Sequence, residues 1–169
     1  MLETRIRLPN KAKAIKRLGP NWSWSHNYEF SPKGRIWVGW KAGEVNLSVL
    51  LKHEQFVHCW IELPSGQLAC FVTFIYGLHS VDSRKPLWSQ LKQLAQTCSP
   101  HPWLVVGDFN AMLYSTDRVN GSEVSEYETR DFAECLDSCQ LFELRNVGCS
   151  HSWTNKDQID FEFGLLYVA

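Results

Sequence analysis

Gly107-Asp108-Phe109-Asn110 is the segment of this chain whose residue types and spacing best suit chemistry. A carboxylate and a carboxamide two residues apart can hold and orient a water beside a hard cation or a phosphate oxygen. If the backbone stays extended through them, both side chains fall on one side of the strand. The glycine lets the chain turn or approach a ligand closely. The plainer alternative is a turn in which Asp108 and Asn110 only satisfy backbone groups. Tyr76, which closes an apolar run before Gly77, is a second candidate, and it too has a plain reading as a core aromatic with a hydrogen-bonded tip. Glu3, His79 and the run Ser152-Trp153-Thr154-Asn155 are ordinary when taken singly. No glycine-rich phosphate loop, HExxH, GxSxG or paired CxxC occurs. P-loop, zincin and serine-hydrolase chemistries therefore have no support.

The elements around these residues follow from hydropathy patterning. Leu68 to Tyr76 is almost continuously apolar, as in a central strand buried on both faces, and Trp103 to Val106 predicts a second such strand feeding directly into Gly107-Asp108. Arg35 to Trp40, Val45 to Leu51 and Phe56 to Leu63 read as further strands, with a turn at Pro64-Ser65-Gly66. Short strands are also expected around Leu144 and around Ser152-Trp153-Thr154. Asp82 or Ser83 can cap a helix whose first turn holds Pro86 and whose buried stripe is Leu87, Leu91, Leu94 and Ala95. Ser125-x-x-Glu128 is a capping box for another helix, carrying Phe132, Cys135, Leu136 and Cys139 inward. Residues 10–18 predict a short basic helix closed by Gly19-Pro20, and Asn21 to Lys33 reads as loop. Strands with hairpins and two intervening helices favour a mixed, layered α/β fold over a purely parallel one.

Composition bounds the class. The 169 residues are 44% hydrophobic and 21% charged, which excludes a disordered tail, and no apolar run approaches the roughly 20 residues of a membrane-spanning helix. The opening residues carry no apolar stretch of the signal-peptide kind, so the expectation is an intracellular protein, nuclear or cytoplasmic, and not a secreted one. Net charge is −1, without the basic excess of a dedicated nucleic-acid binder. The distribution is less even: Met1 to Leu18 holds six basic residues against Glu3, and Asp117 to Asp137 holds seven acidic against two basic. Both stretches read as solvated surface, or the first as a basic flank near a phosphate-handling site. The six cysteines are irregularly spaced, and Cys135 and Cys139 fit a helix core better than a zinc site.

Taken in order, the segments Leu2-Glu3-Thr4-Arg5-Ile6, Phe74-Ile75-Tyr76-Gly77, Arg84 with Leu87-Trp88, Val105-Val106-Gly107-Asp108-Phe109-Asn110 and His151-Ser152-Trp153-Thr154-Asn155 resemble the endonuclease/exonuclease/phosphatase superfamily. The likeness is greatest to the apurinic-like endonuclease domain of LINE-type non-LTR retrotransposons, particularly those of plants, and runs from Met1 to about Asp157. It implies a four-layer α/β sandwich of the deoxyribonuclease I-like kind, DNA as partner, no membrane, and phosphodiester cleavage with Mg2+ or Mn2+. Glu3 resembles the metal-ligand glutamate and Tyr76 the tyrosine near the scissile phosphate. Asp108 resembles the aspartate that positions or activates water, and Asn110 its orienting partner. Ser152 falls where a hydroxyl lines the DNA-contacting strand, and Lys11, Lys13 and Arg17 would add nucleic-acid contacts.

The sequence also departs from the family. The family's opening strand with its Trp-Asn motif, and its closing Ser-Asp-His motif, have no counterpart between Met1 and Ala169. The expectation is therefore a fold incomplete at both termini: a partial domain over residues 1–157 and a non-family tail over 158–169. A divalent-metal-dependent phosphodiesterase of retrotransposon origin, weakly active or inactive, is the first functional expectation. A catalytically dead remnant retaining at most nucleic-acid binding is the second. Loss of charge-stabilising groups from a cooperative site costs orders of magnitude in rate. No plasmid nicking is expected accordingly, and no sharp melt of the isolated chain, since missing outer strands leave open sheet edges and unfilled core.

Overall fold

The computed structural model describes residues 1–2, 4–19, 21–67, 69–118, 123–144 and 164–168. Its centre is a six-stranded sheet built from β3 (Asn46–Lys52), β4 (Phe56–Glu62), β5 (Ala69–Tyr76), β6 (Trp103–Asp108), β7 (Phe142–Glu143) and β8 (Gly164–Val168), in the order β3-β4-β5-β6-β8-β7. The first three strands form an antiparallel meander. Helix α2 (Val81–Cys98) then carries the chain back so that β6 runs parallel to β5. A second, two-stranded sheet pairs β1 (Ser23–His26) with β2 (Trp37–Trp40). Helix α1 (Lys11–Leu18) stands beside it, tied by a bond from Trp24 Nε1 to the Gly19 carbonyl and by a 3.0 Å contact between Lys11 Nζ and His26 Nε2. No described helix is long and apolar enough to cross a membrane.

Each face of the large sheet has its own core. On one face α2 and α3 (Glu126–Cys139) bury Leu87, Leu91 and Phe132 against Ile75, Trp103 and Val105. Cys135 and Cys139 lie in this core as small apolar fillers. On the other face Ile36 and Val38 meet Val57, Cys59 and Tyr76. This second cluster is thinner, and the strands record the difference. In β6, Trp103, Val105 and Gly107 are buried while Leu104, Val106 and Asp108 are half-buried, an alternation in place of the fully buried run that the apolar sequence predicts. In β5 the outlying half is only partly covered, and Val72, Thr73, Ile75 and Tyr76 are the buried positions.

The capping box of α3 is present as expected, with Glu128 accepting from the Ser125 backbone N–H at 2.9 Å. The start of α2 differs. Ser80 is the cap, accepting from the Ser83 N–H at 3.3 Å, whereas Asp82 lies in the first turn and pairs with Lys85 at 2.6 Å. Pro86 consequently sits within the helix, where it leaves the Asp82 carbonyl without its helical donor. The stretch expected as loop contains β1: Trp24 pairs with Gly39, whose missing side chain makes room for the indole (an added Cβ would stand 2.6 Å from the ring). Residues 158–169, set apart in the sequence as a tail, include Gly164–Val168, which pairs antiparallel with β6. The strand expected around Ser152-Trp153-Thr154 lies outside the described residues.

Candidate active site

Parallel pairing of β5 with β6 sets Tyr76 level with Asp108 at the carboxyl ends of the two strands. Residues paired across neighbouring strands sit roughly 5 Å apart and project to the same face. That face is the one turned to the small sheet, because Ile75 and Val105, one and three positions earlier, enter the helix-side core. Phe109 turns the other way and stacks among Trp88 and Phe132, with centroids 6.5 and 5.1 Å away. The residue after Asp108 is thereby anchored in the helix layer, and this fixes where the strand ends.

The strand ends are then locked together. The Gly77 N–H donates to the Asp108 carbonyl at 2.7 Å, and Asn110 Nδ2 donates to the Gly77 carbonyl at 2.7 Å. The Asn110 backbone N–H donates to Asp108 Oδ1 at 3.0 Å. Both glycines are required by this closeness. A Cβ on Gly77 would lie 2.1 Å from the Phe109 carbonyl oxygen, and one on Gly107, whose φ is +147°, would lie 2.1 Å from that of Ile75. Extension does not persist through the motif: Asn110 is left-handed, with φ of 48°. The Asp108 side chain therefore closes an Asx turn on the Asn110 backbone, and the Asn110 side chain holds the Gly77 carbonyl, so the plainer alternative, backbone satisfaction, is part of what they do.

Tyr76 is 2% exposed, and its hydroxyl accepts a short hydrogen bond from Arg35 Nη1. The Arg35 guanidinium also lies 4.8 Å from the ring centroid, and the His79 ring stands perpendicular to it with centroids 6.4 Å apart. A phenol that accepts from a guanidinium has a fixed positive charge behind its oxygen. Arg35 was not among the residues singled out from the sequence. Its only signal was a cation at the entrance to an apolar strand, after Gly34, a position usually occupied by a solvated side chain. The buried Thr4 holds this entrance from the other side, with Oγ1 donating to the Gly34 carbonyl at 2.7 Å and its N–H to that of Arg35 at 3.3 Å.

Behind the site, the loop after β5 is clamped by two buried polar residues. Gln55 accepts from the Leu78 N–H at 2.8 Å, donates to the Ser83 carbonyl at 2.9 Å, and offers its own carbonyl to the Tyr76 N–H. Arg84, 4% exposed, donates to the carbonyls of Leu78 and His79 at 2.9 and 2.7 Å. Arg84 belonged to the sequence likeness; Gln55, in a polar connection between strands, gave no sign.

Glu3 and Ser152 lie outside the described residues. Lys13 and Arg17 are exposed on α1, and Lys11 reaches His26, whose pKa is lowered by burial and then by the neighbouring Lys11 charge. Among the described residues no group of three or more His, Cys, Asp or Glu side chains is placed to hold a metal ion. Mg2+ and Mn2+ are usually held by one or two carboxylates together with waters and substrate phosphate, so Asp108 at the strand ends fits as one such ligand and leaves the rest of the shell to other donors.

No protein-family model matches the chain, and no curated protein matches it in sequence. Solved structures do match in fold. The endonuclease domain of TRAS1, a telomere-specific non-LTR retrotransposon, aligns with a TM-score of 0.66 at 13% identity, over 87% of this chain and 64% of that one. An endonuclease/exonuclease/phosphatase family protein from Bacteroides thetaiotaomicron aligns at 0.60 and 8% identity, over 96% and 65%. D. rerio TDP2 complexed with single-strand DNA product aligns at 0.59 and 9% identity, over 97% and 68%. The fold is thus the α/β, deoxyribonuclease I-like one expected from the sequence, and the chain spans about two thirds of the length of these structures.

Proposed function

We propose that this chain carries a nuclease-type phosphodiesterase site of non-LTR retrotransposon kind, acting on DNA. The observation that supports it most is the register pair Tyr76–Asp108, locked by Asn110 and backed by Arg35, at the strand ends of a fold shared with nucleases. Hydrolysis of a phosphodiester needs a water held in line with the leaving oxygen and positive charge on the phosphoryl oxygens as the fifth bond forms. Asp108 holds the water and takes its proton, while the Asn110 amide oxygen orients it. The Tyr76 hydroxyl donates to a non-bridging oxygen, with Arg35 stabilising the charge that builds there. The α1 cations Lys11, Lys13 and Arg17 add long-range attraction, and Ser152 a strand contact.

Dependence on Mg2+ or Mn2+ is part of this proposal and rests on Glu3 as the ligand. Such an ion would add positive charge at the phosphate. Turnover is expected to be weak, because Asp108 Oδ1 and Asn110 Nδ2 are both engaged in holding the loop. The same engagement favours a second reading, a binding-only domain. Conversion of supercoiled plasmid to nicked circles, with Mg2+ or with EDTA, separates the two. Slow Mg2+-dependent nicking that disappears in Asp108→Asn supports the enzyme. Absence of nicking in both proteins leaves the binding-only reading, and equal nicking in both removes Asp108 from the chemistry.

A further inference from the structure

Thr4 to Pro9 and the loop Pro32, Lys33 and Arg35 enclose a cleft of about 650 Å3 beside Tyr76. Four of its nine lining residues are Arg5, Arg7, Lys33 and Arg35, and no described acidic side chain lines it. In a chain of net charge −1 this is a local concentration of positive charge, and charge gathered in a walled cleft attracts polyanions more strongly than the same charge spread over a surface. Arg5, Arg7 and Lys33 are exposed, whereas Arg35 is half-buried and turns from the cleft wall to the Tyr76 hydroxyl. Of the other five lining residues, Ile6, Leu8, Pro9 and Pro32 are apolar, and Thr4 spends its hydroxyl on the Gly34 carbonyl. The cations of α1 are not in the lining.

We propose that this cleft seats the phosphodiester backbone of one nucleic-acid strand on its way to the Tyr76–Asp108 pair, with Arg35 as the junction between track and site. The inference rests on the function proposed above and names how its substrate approaches. Guanidinium groups bind phosphate in a bidentate fork, which suits three of the four cations to a chain of phosphates.

The test is fluorescence anisotropy of the full 169-residue chain with a fluorescein-labelled 20-nucleotide strand, in EDTA so that binding is read without cleavage, across 50 to 300 mM KCl. The double variant Arg7→Glu/Lys33→Glu is expected to weaken binding at least tenfold at 100 mM KCl. It should also lower the slope of log Kd against log salt by about 1.4, at roughly 0.7 per lost phosphate contact on a single strand. Lys13→Glu/Arg17→Glu on α1, whose cations add only long-range attraction, should weaken binding less than the cleft variant and lower the slope less. Far-UV circular dichroism checks that both variants fold, and the slope of the milder Arg7→Gln/Lys33→Gln replaces the reversal if it does not. An unchanged slope, or a larger effect from α1 than from the cleft, overturns the proposal. So does tripolyphosphate that displaces the strand at equal phosphate concentration, because the cleft would then be a simple anion site. Failure of the enzymatic reading looks different: no variant nicks plasmid, yet the salt slope still falls in the cleft variant.

Discussion

Asp108 answers two demands with one carboxylate: its Oδ1 accepts from the Asn110 N–H to close the turn, and its charge must serve the site beside Tyr76. Substitution separates them. Asp108→Asn keeps an acceptor oxygen for the turn, so stability to urea should stay within about 0.5 kcal/mol while any nicking is lost. Asp108→Ala removes the acceptor as well and should cost about 1 kcal/mol more. Equal destabilisation by both would mean that charge, and not the turn, is what the fold uses. His58 is the other residue with a readable proton. It is 3% exposed, and burial draws its pKa from 6.5 to about 4. Trp103 Nε1 donates to Thr73 Oγ1 at 2.8 Å, and Thr73 Oγ1 shares a second hydrogen bond with His58 Nδ1, also at 2.8 Å, whose donor depends on the imidazole tautomer. With the folded pKa lowered, the unfolded chain binds the proton first, and the stability His58 contributes is full above about pH 6.5 and drains as the pH falls toward 4. Urea midpoints measured from pH 7 to pH 4 should show a loss on the order of 1 to 3 kcal/mol that shrinks in His58→Gln. An identical pH profile in that variant would remove His58 from the account. At this scale Asp108 and Tyr76 were legible because a short motif and a strand end announce them, whereas Arg35 was not, since its partner lies 41 positions away.

The strands β5 and β6 bring their ends together only because glycine stands at both points of closest approach. Gly77→Ala and Gly107→Ala each push a methyl group against backbone carbonyl oxygen at 2.1 Å, where no side chain can swing aside. Each should cost more than about 3 kcal/mol in urea denaturation, with Gly43→Ala, which meets nothing within 4 Å, as a control near zero. A loss under 1 kcal/mol in either would show that the two strand ends yield easily. What the sequence made legible among elements follows the same physics. The capping box and apolar stripe of α3 are local signals, and the helix forms where they place it. The cap of α2 moved to Ser80 because several polar residues compete there and only the packing of Arg84 and Leu87 decides the phase. Strand β1 was hidden because its residues Ser-Trp-Ser-His are all half-buried, and its pairing depends on a distant glycine opposite Trp24. Gly164–Val168 carries a short apolar run, but one too short to tell strand from tail, and its partner β6 lies more than fifty residues earlier.

Among the described residues the six-stranded sheet is covered unequally on its two faces, and the stability of the molecule should be divided accordingly. The helix-side core joins, among the described residues, fifteen buried residues from five elements and the connections after β6 and α3, with the rings of Trp88, Phe109 and Phe132 packed together. The opposite cluster has five buried residues, β1 is half-buried throughout, and α1 buries none of its eight residues. Opening costs scale with the apolar area exposed, so α1 and β1 should open well below the free energy of global unfolding. This matters for the site because Arg35 enters on the lead to β2, while Tyr76 and Asp108 belong to the deeper strands. Loss of the small sheet would part the cation from the phenol and dismantle the basic cleft before the sheet itself melts. Hydrogen exchange followed by mass spectrometry should therefore find peptides over 11–26 exchanging at least tenfold faster than those over 71–76 and 103–108, a gap of about 1.4 kcal/mol or more. Trp22, Trp24, Trp37 and Trp40, four of the eight tryptophans, surround the small sheet. On heating, tryptophan fluorescence should accordingly begin to change at lower temperature than the far-UV circular dichroism of α2 and α3. Coincident transitions with uniform exchange would show instead that the two cores unfold as one, and that Arg35 is held to Tyr76 for as long as the protein is folded.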